Sequence, residues 1–189
     1  MRWRRIEQEY GERVDVEWRA FLLRPQPPES GRRDPEKFRV YTQSWLRPAA
    51  EPDSGEFRVW EGDGAPPTHS IPPHTVAKAA ARLGPEAFER IHERLLRAYF
   101  SENRDISDDA VLAACWAEAA LPAEGFAARE DPAILQQIVA EHEEAVAHGA
   151  TGVPAARLVG NDAVITGAHP LEVFRRWVER ALARRATEA

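Results

Sequence analysis

Residue types that could perform covalent chemistry are scarce in this chain of 189 residues. It contains a single cysteine, Cys115, so it can form neither an intrachain disulfide nor a Cys-x-x-Cys pair. Cys115 shares an apolar helical face with Val111 and Ala119, and no cation is close to it in sequence. Because a reactive thiol needs access and a lowered pKa, we predict that Cys115 is a buried core residue.

The histidines do not form a metal-binding pattern. His142 and His148 are too far apart in sequence for a helical zinc site, whose two histidines are separated by about four residues. We therefore predict no metal site. His69 and His74 lie near the start of a helical region and could face a ligand, but solvated positions in a loop and at a helix start are the more common use of such residues.

The acidic and aromatic residues could serve a functional site or have only a structural role. Glu141, Glu143 and Glu144 could provide paired carboxylates, although on a helix they are typical of a solvated face. Four tryptophans could line an apolar groove, but we predict core packing for most of them. They are Trp18, Trp45, Trp60 and Trp116.

The sharpest candidate for a binding site is the turn Gly152–Val153–Pro154, which follows Gly149. An X–Pro bond is cis in about 5–6% of cases, usually at a defined turn. On spacing alone, an ordinary turn proline is the more common alternative.

The apolar pattern predicts the elements that would position this turn. Trp3, Ile6 and Tyr10 recur at helical spacing, and Gly11 ends this first helix. Residues 14–22 alternate between apolar and polar types, which predicts a strand with one apolar face. Prolines and capping residues then predict a series of helix starts. These are Asp34–Pro35, Pro72–Pro73, Pro85, Ser107 and Asp131–Pro132.

Shorter elements complete the pattern. Phe57–Trp60 is a candidate for a short extended piece. Near the end of the chain, Arg157–Val159 and Ala163–Ile165 are predicted strands of a hairpin that turns through Gly160–Asp162. A last helix follows Pro170. Its predicted buried residues are Leu171, Phe174, Val178 and Leu182.

Three parts of the sequence resemble one known family. They are Glu17–Pro25, then Leu96–Phe100 with Asp105–Asp108, and then Gly152–Ala155 with Ile165–Leu171. Together they are similar to the DsbA-like branch of the thioredoxin superfamily. This branch includes cytoplasmic FrnE-type dithiol–disulfide isomerases and 2-hydroxychromene-2-carboxylate isomerases.

The resemblance implies an α/β, thioredoxin-like fold with an all-helical insertion. It implies a thioredoxin-like core formed by residues 1–48 and 149–189, an irregular connection over 49–71 and the helical insertion over 72–148. The first strand and the catalytic Cys-x-x-Cys of this family would lie upstream of Met1, so the catalytic nucleophile is expected there and not in this chain. Pro154 would be the cis-proline, and Gly152 and Val153 would complete a loop whose Val153 backbone binds substrate.

Three ways to fill the place of the first strand follow from this expectation. In the first, which we favour, the start codon is assigned too late and the natural protein is longer. In the second, Phe57–Trp60 occupies the place of the missing strand. In the third, a second chain provides a strand, so that a homodimer would form.

Three functions remain open at this point. The first is a DsbA-family thiol–disulfide oxidoreductase, inactive in redox chemistry without its upstream motif, that acts on protein or peptide thiols and disulfides. The second is a glutathione-dependent isomerase of the 2-hydroxychromene-2-carboxylate type, with glutathione as a substrate or cosubstrate. The third is a non-catalytic peptide-binding module. No bound cofactor is expected.

The charge and hydropathy of the chain exclude other classes. A formal net charge of -6 argues against nucleic acid and against an anionic membrane surface, because both attract basic patches. We see no apolar run of about 18 residues that could span a membrane. The basic start of the chain is not followed by the apolar stretch of a signal peptide, so we expect a cytoplasmic protein.

Overall fold

The computed structural model describes residues 2–51, 54–61, 64–160 and 163–188. Its elements, in chain order, are α1 (Arg2–Tyr10), α2 (Pro35–Thr42), α3 (Leu46–Ala49), α4 (Ile71–Ala81), α5 (Pro85–Phe100), α6 (Asp109–Glu118), α7 (Pro132–Ala147), β1 (Ala155–Arg157), β2 (Val164–Thr166) and α8 (Leu171–Glu188). Short 3₁₀ helices cover Gly11–Arg13, Gln43–Trp45 and Ala123–Glu130.

Most of the helix starts lie where the capping residues predict them. The Asp34 carboxylate accepts hydrogen bonds from the first turn of α2, and Asp131 accepts one from the Ala133 N–H at 2.8 Å. Ser107 is not the cap of α6, contrary to the prediction. Asp108 has this role, because its carboxylate accepts the Val111 N–H at 3.0 Å. The Ser107 hydroxyl instead donates to the Asp105 carboxylate at 2.6 Å.

Residues 14–24, which we call the extended segment, do not form the predicted strand. Their side chains do alternate between more and less buried positions, ending with buried Ala20 and Leu22. A strand requires a neighbouring strand, and no other strand in the described part of the chain pairs with this one. Phe57–Trp60 does not fill that place either, because the Arg58 N–H donates to the Phe100 carbonyl at the end of α5, at 2.8 Å.

The sheet of the described residues is the antiparallel pair β1–β2, with Ala155 opposite Thr166 and Arg157 opposite Val164. β1 thus begins two residues earlier than predicted, and β2 begins one residue later. The predicted turn falls partly on residues 161–162, which lie outside the described residues. The fold is otherwise as expected: mostly helical, with a hairpin followed by a closing helix.

Within the part of the chain that the structure describes, three apolar clusters form the core. The largest lies in the helical block, formed by α4, α5, α6, α7 and the Ala123–Glu130 turn, and it also buries Ala20 and Leu22 of the extended segment. The second joins α1 to α8 through Ile6, Phe174 and Val178. It includes every residue predicted for the buried side of the last helix, with Leu182 partly buried.

The third cluster is aromatic and joins α2 to the C-terminal end of α5. Phe38, Trp45 and Trp60 form its buried part, and Tyr99 packs with its ring centroid 5.1 Å from that of Trp45. Phe38 and Trp45 therefore contact the end of α5 through these aromatic rings. The assignment of residues 1–48 and 149–189 to one core unit remains a prediction. Within the described residues, no helix is long and apolar enough to cross a membrane.

Candidate functional site

The Gly152–Pro154 loop, which precedes β1, is the exposed end of the hairpin. The Val153–Pro154 peptide bond is cis, as the resemblance implies. The Pro154 carbonyl accepts the Gly167 N–H at 2.8 Å, which fixes the loop against the end of β2. Val153 itself is 52% exposed. The loop is therefore anchored on its hairpin side, while Val153 faces outward.

The backbone of Val153 is available to a ligand. Among the described residues, no hydrogen bond engages its N–H or its C=O. An exposed residue with a free donor and a free acceptor next to a strand can pair with one residue of an extended polypeptide, as in strand addition. Such pairing places the bound chain alongside Pro154. The binding role of Gly152, Val153 and Pro154 stays a prediction.

Glu144, near the end of α7, connects the extended segment to the hairpin. Its carboxylate pairs with the Arg19 guanidinium and lies 3.4 Å from the Arg157 guanidinium of β1. All three side chains are partly exposed, so each pair stabilises the fold only modestly. Their geometric effect is to fix where β1 lies relative to the extended segment.

The extended segment binds the helical block through what we call the polar clamp, formed by His74 and Lys78 of α4 and Glu141 and His142 of α7. The Ala20 N–H donates to the Glu141 carboxylate at 2.6 Å. Lys78 donates to the same carboxylate at 2.5 Å and also lies 3.4 Å from the Trp18 carbonyl. Backbone groups that a strand would satisfy are thus satisfied by helix side chains.

The prediction that Glu141 lies on a solvated helix face is wrong. Only 5% of this residue is exposed. Burial raises the pKa of its carboxyl, but the bonds from Lys78 and from the Ala20 N–H outweigh burial and hold the pKa below its usual value. The carboxylate is therefore ionised and paired, and Lys78 compensates its charge inside the protein.

The histidines of the clamp bind the same segment. The Leu22 N–H donates to Nδ1 of His142 at 3.2 Å, which requires the neutral ring with its proton on Nε2. Nε2 of His74 lies 3.2 Å from the Phe21 carbonyl, and burial lowers the pKa of this ring. His74 is therefore not a solvated helix-start residue. The half-buried His69 contacts the Thr68 hydroxyl at 2.8 Å.

Cys115 is fully buried in the helical block, which confirms its predicted core position. Burial raises the pKa of its thiol, although the guanidinium groups of Arg104 and Arg94 partly oppose this. A thiol without access and with a raised pKa is a poor nucleophile. Within the described residues, no group of three or more His, Cys, Asp or Glu side chains could hold a metal ion.

Trp45, Trp60 and Trp116 are core residues, as predicted. Trp18 differs, because it is only half-buried and lines a cleft of about 680 Å³. Its ring lies 4.7 Å from that of His92. The sequence offered no signal for the polar clamp, because Lys78 and Glu141 are far apart along the chain and belong to helices separated by two others.

The chain ends in an exposed loop, an antiparallel hairpin and a closing helix, and these follow a helical block. This order is that of the C-terminal half of a thioredoxin-like fold with a helical insertion. The sequence matches the model of the DSBA-like thioredoxin domain family over residues 1–179. The chain belongs to this family.

Solved structures agree with this fold. A candidate protein disulfide isomerase from Nitrosomonas europaea is 16% identical, with a TM-score of 0.72 over 97% of this chain and 89% of that one. The cytosolic disulfide reductase DsbM from Pseudomonas aeruginosa is 21% identical, with a TM-score of 0.68 over 99% of this chain and 89% of that one. No curated protein sequence matches the chain.

Proposed function

We propose that this chain is the substrate-binding body of a DsbA-family thiol–disulfide oxidoreductase. The observation that carries the proposal is the exposed Val153, whose backbone N–H and C=O are free within the described residues. In this proposal, a peptide with a disulfide or a thiol lies extended against Gly152, Val153 and Pro154. Membership of the DSBA-like thioredoxin domain family supports it.

The reactive thiol is proposed to come from residues that precede Met1. Cys115 is the one cysteine of the sequence and is fully buried, so it does not reach a disulfide held at Val153. With the upstream thiolate present, it would attack one sulfur of the bound disulfide, form a mixed disulfide and release the other sulfur as a thiolate. A second upstream thiol would then attack the mixed disulfide and release the reduced substrate.

Insulin reduction by dithiothreitol tests whether the reactive thiol lies upstream of Met1 while this chain binds the substrate. The chain from Met1 to Ala189 should not accelerate the reaction above the uncatalysed rate, and Cys115→Ala should behave identically. A product that begins at the upstream in-frame codons should accelerate it, and replacement of an upstream cysteine by alanine should abolish that gain. Turnover by the shorter chain that Cys115→Ala abolishes would show that the proposal assigns the wrong thiol.

The same pair of proteins separates the alternatives. If the upstream residue is serine and no disulfide is reduced, the glutathione-dependent isomerase replaces our proposal. If the upstream codons contain neither residue but the chain still binds extended peptides, it is a non-catalytic peptide-binding module. We propose a cytoplasmic location, which the cytosolic Pseudomonas aeruginosa neighbour supports. A homodimer remains a prediction.

A further inference from the structure

A second candidate ligand site lies in the cleft of about 680 Å³ between α1, the extended segment, the end of α4 and the first turns of α5. The apolar face of the extended segment explains why the cleft exists. Val14 packs against the α1–α8 cluster, and Ala20 and Leu22 are buried in the helical block. Val16 and Trp18 lie between these two bodies, so neither cluster covers them completely.

Part of the lining of the cleft is aromatic. Trp18 and Phe88 both line it, and both rings pack on His92, at centroid distances of 4.7 and 5.1 Å. Burial lowers the pKa of His92 to about 4, so this ring is neutral at neutral pH. The aromatic rings therefore pack on an uncharged ring that does not repel a cation, and aromatic rings attract cations to their faces.

The cations that line the cleft are already occupied. Arg4 donates to the Glu89 carboxylate at 2.5 Å and to the Glu89 carbonyl at 3.0 Å. Lys78 is bound to the buried Glu141. Neither cation is free to bind an anionic ligand without losing its present partner.

The carboxylates of Glu7 and Asp15, by contrast, have no ion-pair partner within the described residues. Glu7 is half-buried, and burial raises the pKa of its carboxyl. The neighbouring Asp15 adds to this effect, while a hydrogen bond from the Val16 backbone and the charge of Arg4 partly oppose it. A cation bound between them would relieve this repulsion. The cleft thus combines two carboxylates that form no salt bridge within the described residues with the aromatic side chains of its lining.

We propose that this cleft binds an organic cation, an alkylguanidinium or alkylammonium group whose apolar stem lies on Trp18 and Phe88 and whose charge lies between Glu7 and Asp15. The size of the cleft suits a ligand of several non-hydrogen atoms. The site is separate from the Val153 loop, and the proposal does not depend on the redox function of the protein.

Calorimetric titration with butylguanidinium and with butylurea tests the role of charge, because the two probes differ mainly in that property. We expect butylguanidinium to bind about tenfold more tightly, as a desolvated cation–π contact and an ion pair together allow. Asp15→Asn should remove most of this difference. Equal binding of the two probes, or no binding of either, would refute the proposal.

Further variants distinguish binding in the cleft from nonspecific binding of cations to an acidic protein. Glu124→Gln removes an exposed carboxylate that does not line the cleft and should leave the affinity unchanged. Trp18→Leu should weaken butylguanidinium binding severalfold, while Trp18→Phe should retain most of it. Equal losses in Glu124→Gln and Asp15→Asn would contradict a site in the cleft.

The same titration identifies the source of the cation. A peptide of the form acetyl-Gly-Arg-Gly-amide that binds as tightly as butylguanidinium would assign the cleft to basic side chains of a polypeptide. Binding of butylguanidinium alone would assign it to a small free cation.

Discussion

The extended segment and the β1–β2 hairpin are both extended backbone, yet the fold holds them in different ways. In the extended segment, the N–H groups of Ala20 and Leu22 are bound by side chains of α7. In the hairpin, the backbone pairs with itself, and the Val153 backbone has no partner among the described residues. Helix side chains can therefore satisfy backbone groups that a neighbouring strand would otherwise bind, while the hairpin leaves open the position at which we propose that a polypeptide binds.

Glu141→Ala should have the largest effect on this comparison. It leaves the ammonium of Lys78 buried without a partner and removes the acceptor of the Ala20 N–H. We expect a loss of about 3–5 kcal/mol in the free energy of unfolding, measured by urea denaturation. Glu143→Ala, on the exposed neighbouring position, should change it by no more than about 0.5 kcal/mol. A similar small change in both variants would mean that the clamp does not hold the segment.

His142→Ala should also weaken the polar clamp, because it removes the acceptor of the Leu22 N–H and the ring that packs on Phe21. A buried donor left without an acceptor costs about 1–3 kcal/mol. Chemical denaturation measures this loss, and His148→Ala, near the end of the same helix, is a matched control. A loss confined to the His148 variant would contradict the role of His142.

Acid should destabilise the helical block through His92. Its pKa in the folded chain is about 4, below the usual 6.5, because burial penalises the charged ring. The unfolded chain therefore binds more protons between these values, and stability should fall as the pH decreases from about 6.5 to about 4, by about 3 kcal/mol.

The variant His92→Phe should lack this contribution and show a flatter stability profile over the same pH range. Thermal unfolding at a series of pH values makes the comparison. Profiles of equal slope for the two proteins would exclude His92 as the cause.

Arg157→Gln should have the smallest effect. It removes one partly exposed ion pair between β1 and Glu144, which is worth about 0.2–1 kcal/mol. The change should be lost at high salt, because salt screens exposed charges. An effect that is larger at high salt would require another explanation for the position of β1.

Local rules predicted the helices well and the extended backbone poorly. Asp34 and Asp131 lie next to prolines at helix starts, and the information needed to place these starts is local. The alternation of residues 14–22 correctly predicted extended backbone with one apolar face, but not whether another strand would pair with it. That depends on residues distant in sequence.

For the candidate site, too, some features could be predicted from the sequence and others depend on contacts between distant residues. The cis bond at Pro154 was expected from the family resemblance. Glu141 was assigned to a solvated face because its acidic neighbours suggest one, whereas the decisive fact is its contact with Lys78 of a distant helix. The cleft at Trp18 depends on how two apolar clusters share one segment, which no sequence pattern records.

Amide hydrogen exchange, read residue by residue by NMR, tests the central comparison most directly. We predict slow exchange at Ala20 and Leu22, whose N–H groups are bound by α7, and fast exchange at Val153. Addition of an extended peptide should slow exchange at Val153 and leave Ala20 and Leu22 unchanged. Fast exchange at Ala20 and Leu22, or an unchanged Val153 with saturating peptide, would contradict the account.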